Sequence, residues 1–148
     1  MEELDRFIHA QNDFGGYEEA LREIKKGQKT DHWIWYIFPQ IRGLGHSYNA
    51  KYYSIKSLDE ARAYLAHPVL GARLKEITTA LLTHKGEDIY SIMGSRIDAV
   101  KLRSSMTLFD LISPKDIYAD VLAEFFDGKR DQRTIDITNE QGKSQNTL

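Results

Sequence analysis

The sequence predicts an all-α protein, a compact single-domain bundle of about six to seven helices around an aromatic-rich central segment. Apolar residues recur at three- and four-residue spacing along most of the chain, and capping residues, glycines or prolines mark the ends of most such stretches. Both tryptophans lie in one short run, residues 32–40. With 148 residues the chain suits one domain, which we expect to span residues 1–138.

The N-terminal region is predicted to form two amphipathic helices. In the first, Leu4, Phe7 and Ile8 repeat at helical spacing, and the helix should end before Gly15. The second is predicted over residues 17–26, where an apolar stripe faces one side and two lysines near the end favour the helix dipole.

The aromatic segment, residues 32–40, is the centre of the predicted core. Each large aromatic side chain buries about 150–250 Å², so this short run can anchor much of a small domain. Its seven apolar-rich positions fit either a short helix or a buried strand, because periodicity does not decide so short a stretch. The surrounding helical pattern favours the helix. Residues 46–56 are predicted as irregular or as one short helical turn.

The rest of the chain shows repeated helix starts and stops. Ser57 and Glu60 form a capping box, Ser95 is an N-cap, and Ser113 followed by Pro114 is the preferred order at a helix start. The helix from Ser95 is the longest, with an apolar stripe that we take to include Ile97, Val100, Leu102 and Phe109.

Helices are predicted over 57–67, 68–85, 88–93, 95–112 and 113–128. Residues 129–137 are ambiguous, and the polar residues 139–148 are expected to form a flexible tail.

Composition narrows the class of function. The net charge of −2 provides no basic field for nucleic acid, and no apolar run approaches the length of a membrane span. The absence of cysteine excludes disulfides and thiol chemistry, and the five histidines show no paired ligand spacing, so neither a metal nor another cofactor is predicted. The acidic start lacks a secretory signal, so we expect a soluble cytoplasmic protein. Its oligomeric state does not follow from the sequence.

Polar residues beside the aromatic segment are the first candidate site residues. His32, Gln40 and Arg42 need partners if the core draws them in. Arg42 precedes a Gly-Leu-Gly turn, where a planar guanidinium and an accessible backbone suit a carboxylate or phosphate. A single histidine at a helix start is more typical of a structural role.

A polar stripe on the helix from Ser95 is the second candidate. Asp98, Lys101 and Ser105 follow at spacings of three and seven, so they share one side of the helix, and Ser104 flanks them. Such a line amid apolar residues is typical of a pocket wall. It is equally typical of a surface ion pair worth only about 0.3–0.5 kcal/mol. No motif supports a serine nucleophile with Lys101 as its base.

Four stretches form specific strings: residues 32–40; residues 43–45 with Ser47; residues 63–71; and Gly94, Ser95, Asp98, Lys101, Leu102, Ser104, Ser105, Thr107, Leu108 and Phe109. Through them the chain, from Leu4 to Thr134, resembles the bacterial and plant family named domain of unknown function 1810, which is also labelled calpastatin-like. Ile34 and Tyr36 stand where that family often has methionine and phenylalanine. The resemblance implies a mainly α-helical single domain and no established activity. The calpastatin label does not fit, because those inhibitors are disordered repeats and this chain has the pattern of a packed domain.

Two hypotheses of function follow. In the first, one polar pocket binds a small anionic ligand, a nucleotide-like one among the candidates, with hydrolase or transferase activity left open. Arg42 would hold the anion and Trp33 or Trp35 would stack an aromatic ring; the full candidate set is His32, Trp33, Gln40, Arg42, Ser47, Asp98, Lys101, Ser104 and Ser105. In the second, the chain is a non-catalytic protein-interaction domain with a purely structural aromatic core. Convergence of His32, Arg42, Asp98 and Lys101 on one concave site would favour the first hypothesis, and their scatter over the surface would rule this pocket out.

Overall fold

The computed structural model describes the backbone of residues 2–146 and the side chains of residues 3–13 and 15–143. Within that range the protein is all-helical and has no β-strand. Ten α-helices follow one another: α1 (Asp5–Asn12), α2 (Gly16–Lys26), α3 (Ile34–Ile37), α4 (Tyr48–Tyr52), α5 (Leu58–Ala66), α6 (Leu70–Leu82), α7 (Ile89–Met93), α8 (Arg96–Ile112), α9 (Ile117–Phe126) and α10 (Gln132–Asn146). Two short 3₁₀ turns, Glu2–Leu4 and Asp13–Gly15, flank α1.

The predicted fold class is confirmed, whereas the predicted helix count is too low. Three helices, α3, α4 and α7, are single turns of four or five residues, too short to show a period, although helices were predicted at the positions of α3 and α7. Helix α10 was not predicted, because it begins inside the segment that the sequence left ambiguous. Among the described residues no helix combines the length and the apolar character needed to cross a bilayer.

Helix α8 lies at the centre of the bundle. It packs against α3, α5, α7, α9 and α10, while α6 packs against α2, α5 and α9 on the other side. The core face of α8 includes Ala99, Leu102, Met106 and Phe109, all fully buried. The aromatic segment packs on this core: Trp33, Ile34, Ile37 and Phe38 are each at most 2% exposed. Its central residues form α3, so the helical interpretation of the segment is confirmed.

Two details of the predicted helices are wrong. Ile97 and Val100 do not belong to the core stripe of α8, because their exposed fractions are 68% and 49%. Helix α9 does not begin at Ser113: Lys115 has a φ of +60°, which is incompatible with a continuous helix, and Asp116 caps the helix through Ile117 N.

The predicted tail is partly inside the described structure. Helix α10 continues to Asn146, and Gln141 Nε2 donates to the carbonyl of Lys56 over 2.9 Å. Residues 147 and 148 lie outside the described residues. The expectation that the domain ends at residue 138 stays a prediction.

A short parallel bridge positions the chain after the aromatic segment. Ile55 N donates to the carbonyl of Gln40 and Arg42 N donates to the carbonyl of Ile55, both over 2.8 Å. Ile41 is buried between them. This bridge fixes Gln40 and Arg42 on either side of a buried residue, next to α4 and α8.

Candidate functional site

Six of the nine residues that the sequence suggested for one pocket line three separate clefts, and Ser47, Asp98 and Ser105 line none of the three. The His32 cleft, of about 340 Å³, is lined by Ala10, Asp13, Gly16, Glu19, Asp31, His32, Trp33, Tyr36 and Tyr53. The Arg42 cleft, of about 450 Å³, is lined by Glu3, Asp5, Arg6, His9, Arg42, Lys51, Tyr52 and Lys56. The Lys101 cleft, of about 420 Å³, is lined by Gln40, Leu44, Gly45, Ala50, Arg96, Ile97, Val100, Lys101, Ser104, Asp131 and Arg133.

The Lys101 cleft brings together three of the predicted residues, Gln40, Lys101 and Ser104. One side of α8 forms its wall, because Ile97, Val100 and Ser104 follow at spacings of three and seven and Lys101 stands beside them. Sequence reasoning missed the role of Ile97 and Val100 by placing them in the core. The available signal was their spacing, since they fall off the line that joins Ala99, Leu102, Met106 and Phe109.

The charges of the Lys101 cleft are predominantly positive. Arg96, Lys101 and Arg133 line it together with a single carboxylate, that of Asp131. Asp131 Oδ2 already accepts hydrogen bonds from Thr134 N (3.0 Å) and Thr134 Oγ1 (2.6 Å) at the start of α10. Three cationic side chains thus line the cleft with one carboxylate. Arg133 Nη2 donates to the carbonyl of Gly43 over 3.3 Å, and the guanidinium of Arg96 lies 5.3 Å from the centroid of the Tyr90 ring. Sequence reasoning also missed Arg96 and Arg133.

Lys101 is held by two contacts. Its ammonium lies 4.9 Å from the centroid of the Trp35 ring and 3.8 Å from Asp98 Oδ1. Asp98 has a closer partner, since its Oδ2 lies 2.7 Å from the ammonium of Lys29, whose side chain is 4% exposed. The predicted pairing of Asp98 with Lys101 is therefore the weaker of two ion pairs. Lys29 could not be found from helical spacing because it precedes α3.

The two serines of the stripe differ in exposure. Ser104 lines the cleft, and its hydroxyl donates to the carbonyl of Val100 within α8 over 3.2 Å. Ser105 is fully buried, and its hydroxyl has no partner among the described residues. No hydrogen bond joins either serine to Lys101 within the described part of the chain, so the geometry provides no nucleophile and base.

Trp33 has a structural environment. It is 2% exposed, its indole N–H donates to Glu23 Oε1 over 3.0 Å, and the ammonium of Lys29 lies 4.9 Å from its ring centroid. His32, beside it, is exposed at the rim of the His32 cleft. Neither tryptophan offers a free ring to the Lys101 cleft, because Lys101 covers Trp35.

Arg42 and Ser47 do not line the Lys101 cleft. The guanidinium of Arg42 donates from Nε to Ser54 Oγ over 3.1 Å in the Arg42 cleft. Arg6, Lys51 and Lys56 line the same cleft, but two acidic side chains also do. Ser47 caps α4, since its hydroxyl accepts from Ala50 N over 3.1 Å. The structure therefore does not bring His32, Arg42 and Lys101 together.

Comparison with known proteins gives a family and a fold neighbour. The family model described as "Protein of unknown function (DUF1810)" matches residues 1–138. The crystal structure of the conserved hypothetical protein Rv1873 from Mycobacterium tuberculosis is similar, with 40% identity and a TM-score of 0.87 over 93% of this chain and 96% of that one. No curated protein matches the chain significantly.

Proposed function

The chain belongs to the DUF1810 family, whose description assigns no activity, and we propose that it binds a small anionic ligand in the Lys101 cleft. One observation carries the proposal: three cationic side chains and two exposed branched apolar residues line the same concavity. A volume of about 420 Å³ lies within the range of about 300–1,000 Å³ typical of small-molecule sites.

The cations define the recognised group. Arg96 and Arg133 have planar guanidinium groups that can bind a carboxylate or phosphate bidentately, and Lys101 adds a point charge. The chain as a whole has a net charge of −2, so this cationic cluster is a local feature and not a consequence of general basicity. An anion is the partner that such a cluster favours.

The apolar wall defines the rest of the ligand. Ile97 and Val100 expose surface that a fully polar ligand would leave hydrated, so a carboxylate or phosphate attached to an apolar body fits better than inorganic phosphate. Gln40 and Ser104 can add neutral hydrogen bonds at the rim. The proposal is one of binding: Ser104 would need a base beside it to act as a nucleophile, and its hydroxyl donates within α8.

A second candidate is a non-catalytic protein-interaction domain. The observation that favours it is the exposed apolar surface: Ile97 and Val100 on α8, and Tyr48 on α4, 75% exposed and stacked on Tyr52 at 5.6 Å between ring centroids. A partner segment with acidic and apolar side chains could cover the same cleft. Response to small molecules separates the two candidates.

The test is a thermal-shift screen with aliphatic and aromatic carboxylates, phosphate esters and nucleotides, followed by titration calorimetry. A compound that binds the folded state raises the melting temperature. For the strongest compound, Lys101→Met should weaken binding about ten- to a hundredfold, because a desolvated charge-assisted hydrogen bond is lost. Methionine keeps an unbranched apolar stem, so the fold should survive.

Lys85→Met is the matched control. Lys85 is exposed and lines none of the clefts described above, and its replacement removes the same charge. Binding to the Lys85→Met protein should equal that of the parent protein. Equal affinities for the Lys101→Met and parent proteins would remove Lys101 from the site. A screen in which no anion shifts the melting temperature would favour the interaction domain.

A further inference from the structure

Three carboxylates converge beside the His32 cleft, away from the Lys101 cleft. Glu19 and Glu23 stand four residues apart on one side of α2, and Asp31 belongs to the loop that follows this helix. One carboxylate oxygen from each residue lies within 4.8 Å of those of the other two. Glu19 is partly exposed, Asp31 is exposed, and both line the cleft.

Glu23 has an unusual environment for an ionised side chain. It is 1% exposed, and its Oε1 accepts hydrogen bonds from Thr30 N (2.7 Å), Asp31 N (3.1 Å) and the indole N–H of Trp33 (3.0 Å). Its other oxygen, Oε2, is buried without a donor among the described residues. Three donors fix the orientation of the carboxylate, so Oε2 is a preformed and unused ligand atom. A buried oxygen of this kind is costly unless something compensates its charge.

The neighbouring cations do not compensate Glu23 Oε2. Arg22 pairs with Glu19 on the surface, and the ammonium of Lys29 interacts with Asp98 and with the backbone carbonyl of Asp31. The nearest side chains, Glu19 and Asp31, are themselves carboxylates, so they add negative charge beside Glu23. The gap between these carboxylates therefore favours a positive charge.

We propose that Glu19, Glu23 and Asp31 bind a hard divalent cation, with Ca²⁺ as the preferred ion. Three protein carboxylates within reach of one ion favour Ca²⁺, because Ca²⁺ accepts many carboxylate ligands in flexible geometry, whereas Mg²⁺ usually keeps several waters and binds through one or two carboxylates. Water from the His32 cleft completes the coordination. Sequence reasoning missed the site because it looked for paired histidines.

The test uses the full chain, with Ca²⁺ and Tb³⁺ as probes. Tb³⁺ replaces Ca²⁺ in oxygen-rich sites and emits when a nearby tryptophan is excited, and Trp33 is hydrogen-bonded to Glu23. We expect sensitised Tb³⁺ emission that Ca²⁺ displaces with one-to-one stoichiometry, and a rise in melting temperature with Ca²⁺. Mg²⁺ should displace Tb³⁺ less effectively.

Asp31→Asn is the decisive variant, because Asp31 is exposed and the loss of its charge should leave the fold intact. The affinity for Ca²⁺ should fall about tenfold or more, the typical effect of losing a charge-assisted contact. Asp59→Asn is the control: Asp59 is an exposed acid paired with an arginine three residues away, as Glu19 is. The Asp59→Asn protein should bind as the parent protein does.

Three results would overturn the proposal. They are the absence of both Tb³⁺ emission and Ca²⁺ stabilisation in the parent protein, unchanged affinity in the Asp31→Asn protein, and an equal loss in the Asp59→Asn protein. Because the Lys101 cleft contains none of these carboxylates, a negative result here leaves the anion-binding proposal standing.

Discussion

At the scale of single residues, Trp33 connects the core to α2. Its ring is buried against Phe38, with 6.2 Å between ring centroids, and its N–H donates to the buried Glu23. We expect Trp33→Ala to lower the free energy of unfolding by about 3–5 kcal/mol, because a large side chain is removed from a core that cannot collapse fully.

Urea denaturation measures this effect, and Trp35→Ala is the comparison. Trp35 is only partly buried, so its removal should cost less than that of Trp33. A third variant, Trp33→Phe, keeps the ring but leaves Glu23 with one donor fewer, and it should fall between the parent protein and Trp33→Ala. A loss below about 1 kcal/mol for Trp33→Ala would contradict the assignment of Trp33 as a core anchor.

Residue identity predicted part of the candidate site and not the rest. Gln40, Lys101 and Ser104 were singled out as polar groups in apolar surroundings, and they do line one cleft. Arg42 was placed with them because it precedes a Gly-Leu-Gly turn, which suits an anion. In the folded chain Arg42 and Gln40 line different clefts. Arg42 donates to Ser54 in the Arg42 cleft, a tertiary contact that no local sequence pattern predicts.

At the scale of helices, capping residues made some helices predictable from the sequence, and the lack of a hydrophobic period hid another. The caps by Ser57 and Ser95 are as expected, because each hydroxyl accepts from a backbone N–H three residues later. The capping box is only half formed, since Glu60 Oε1 accepts from Lys56 N and binds Arg6. Helix α10 was ambiguous because its buried threonines, Thr134 and Thr138, are not apolar and leave no hydrophobic period.

The contact between α2 and the turn after α6 should make stability depend on pH. His84 Nε2 lies 2.7 Å from the carbonyl of Ile24, in the last turn of α2, and Nδ1 lies 2.8 Å from Glu87 Oε2. Burial alone would lower the pKa of His84, but the Glu87 carboxylate and the α2 carbonyls raise it above its ordinary value.

The folded state holds the proton of His84 more tightly than the unfolded state does. The protonated histidine therefore adds to the free energy of unfolding in full below the unfolded pKa of about 6.5, and this contribution is lost as the pH rises through the folded pKa. The free energy of unfolding from urea melts should therefore decline as the pH rises above about 6.5. In the His84→Gln protein this decline should be smaller, whereas His9→Gln, at an exposed histidine, should keep it. Identical slopes in all three proteins would contradict the assignment.

At the scale of the whole molecule, charge is segregated between two clefts of one small domain. The His32 cleft contains acidic side chains and the Lys101 cleft contains cationic ones. The buried ion pair of Lys29 and Asp98 lies between them: Lys29 contacts the carbonyl of Asp31, and Asp98 contacts Lys101. Both proposed ligands would thus bind next to the same internal contact, although neither proposal requires the other.

The C-terminal boundary of the domain is the last expectation, and two truncations test it. Of residues 139–143, Gln141 contacts the rest of the molecule, through one hydrogen bond to Lys56. A hydrogen bond contributes about 1 kcal/mol, and in a domain of this size that shifts the melting temperature by about 2–4 °C. A chain that ends at Thr138 should therefore melt no more than about 4 °C below the full chain.

A chain that ends at Asp131 also loses Thr134, Ile137 and Thr138, which pack on the body of the domain, and its melting temperature should fall much further. If the two truncations melted alike, well below the full chain, the domain would extend beyond residue 138.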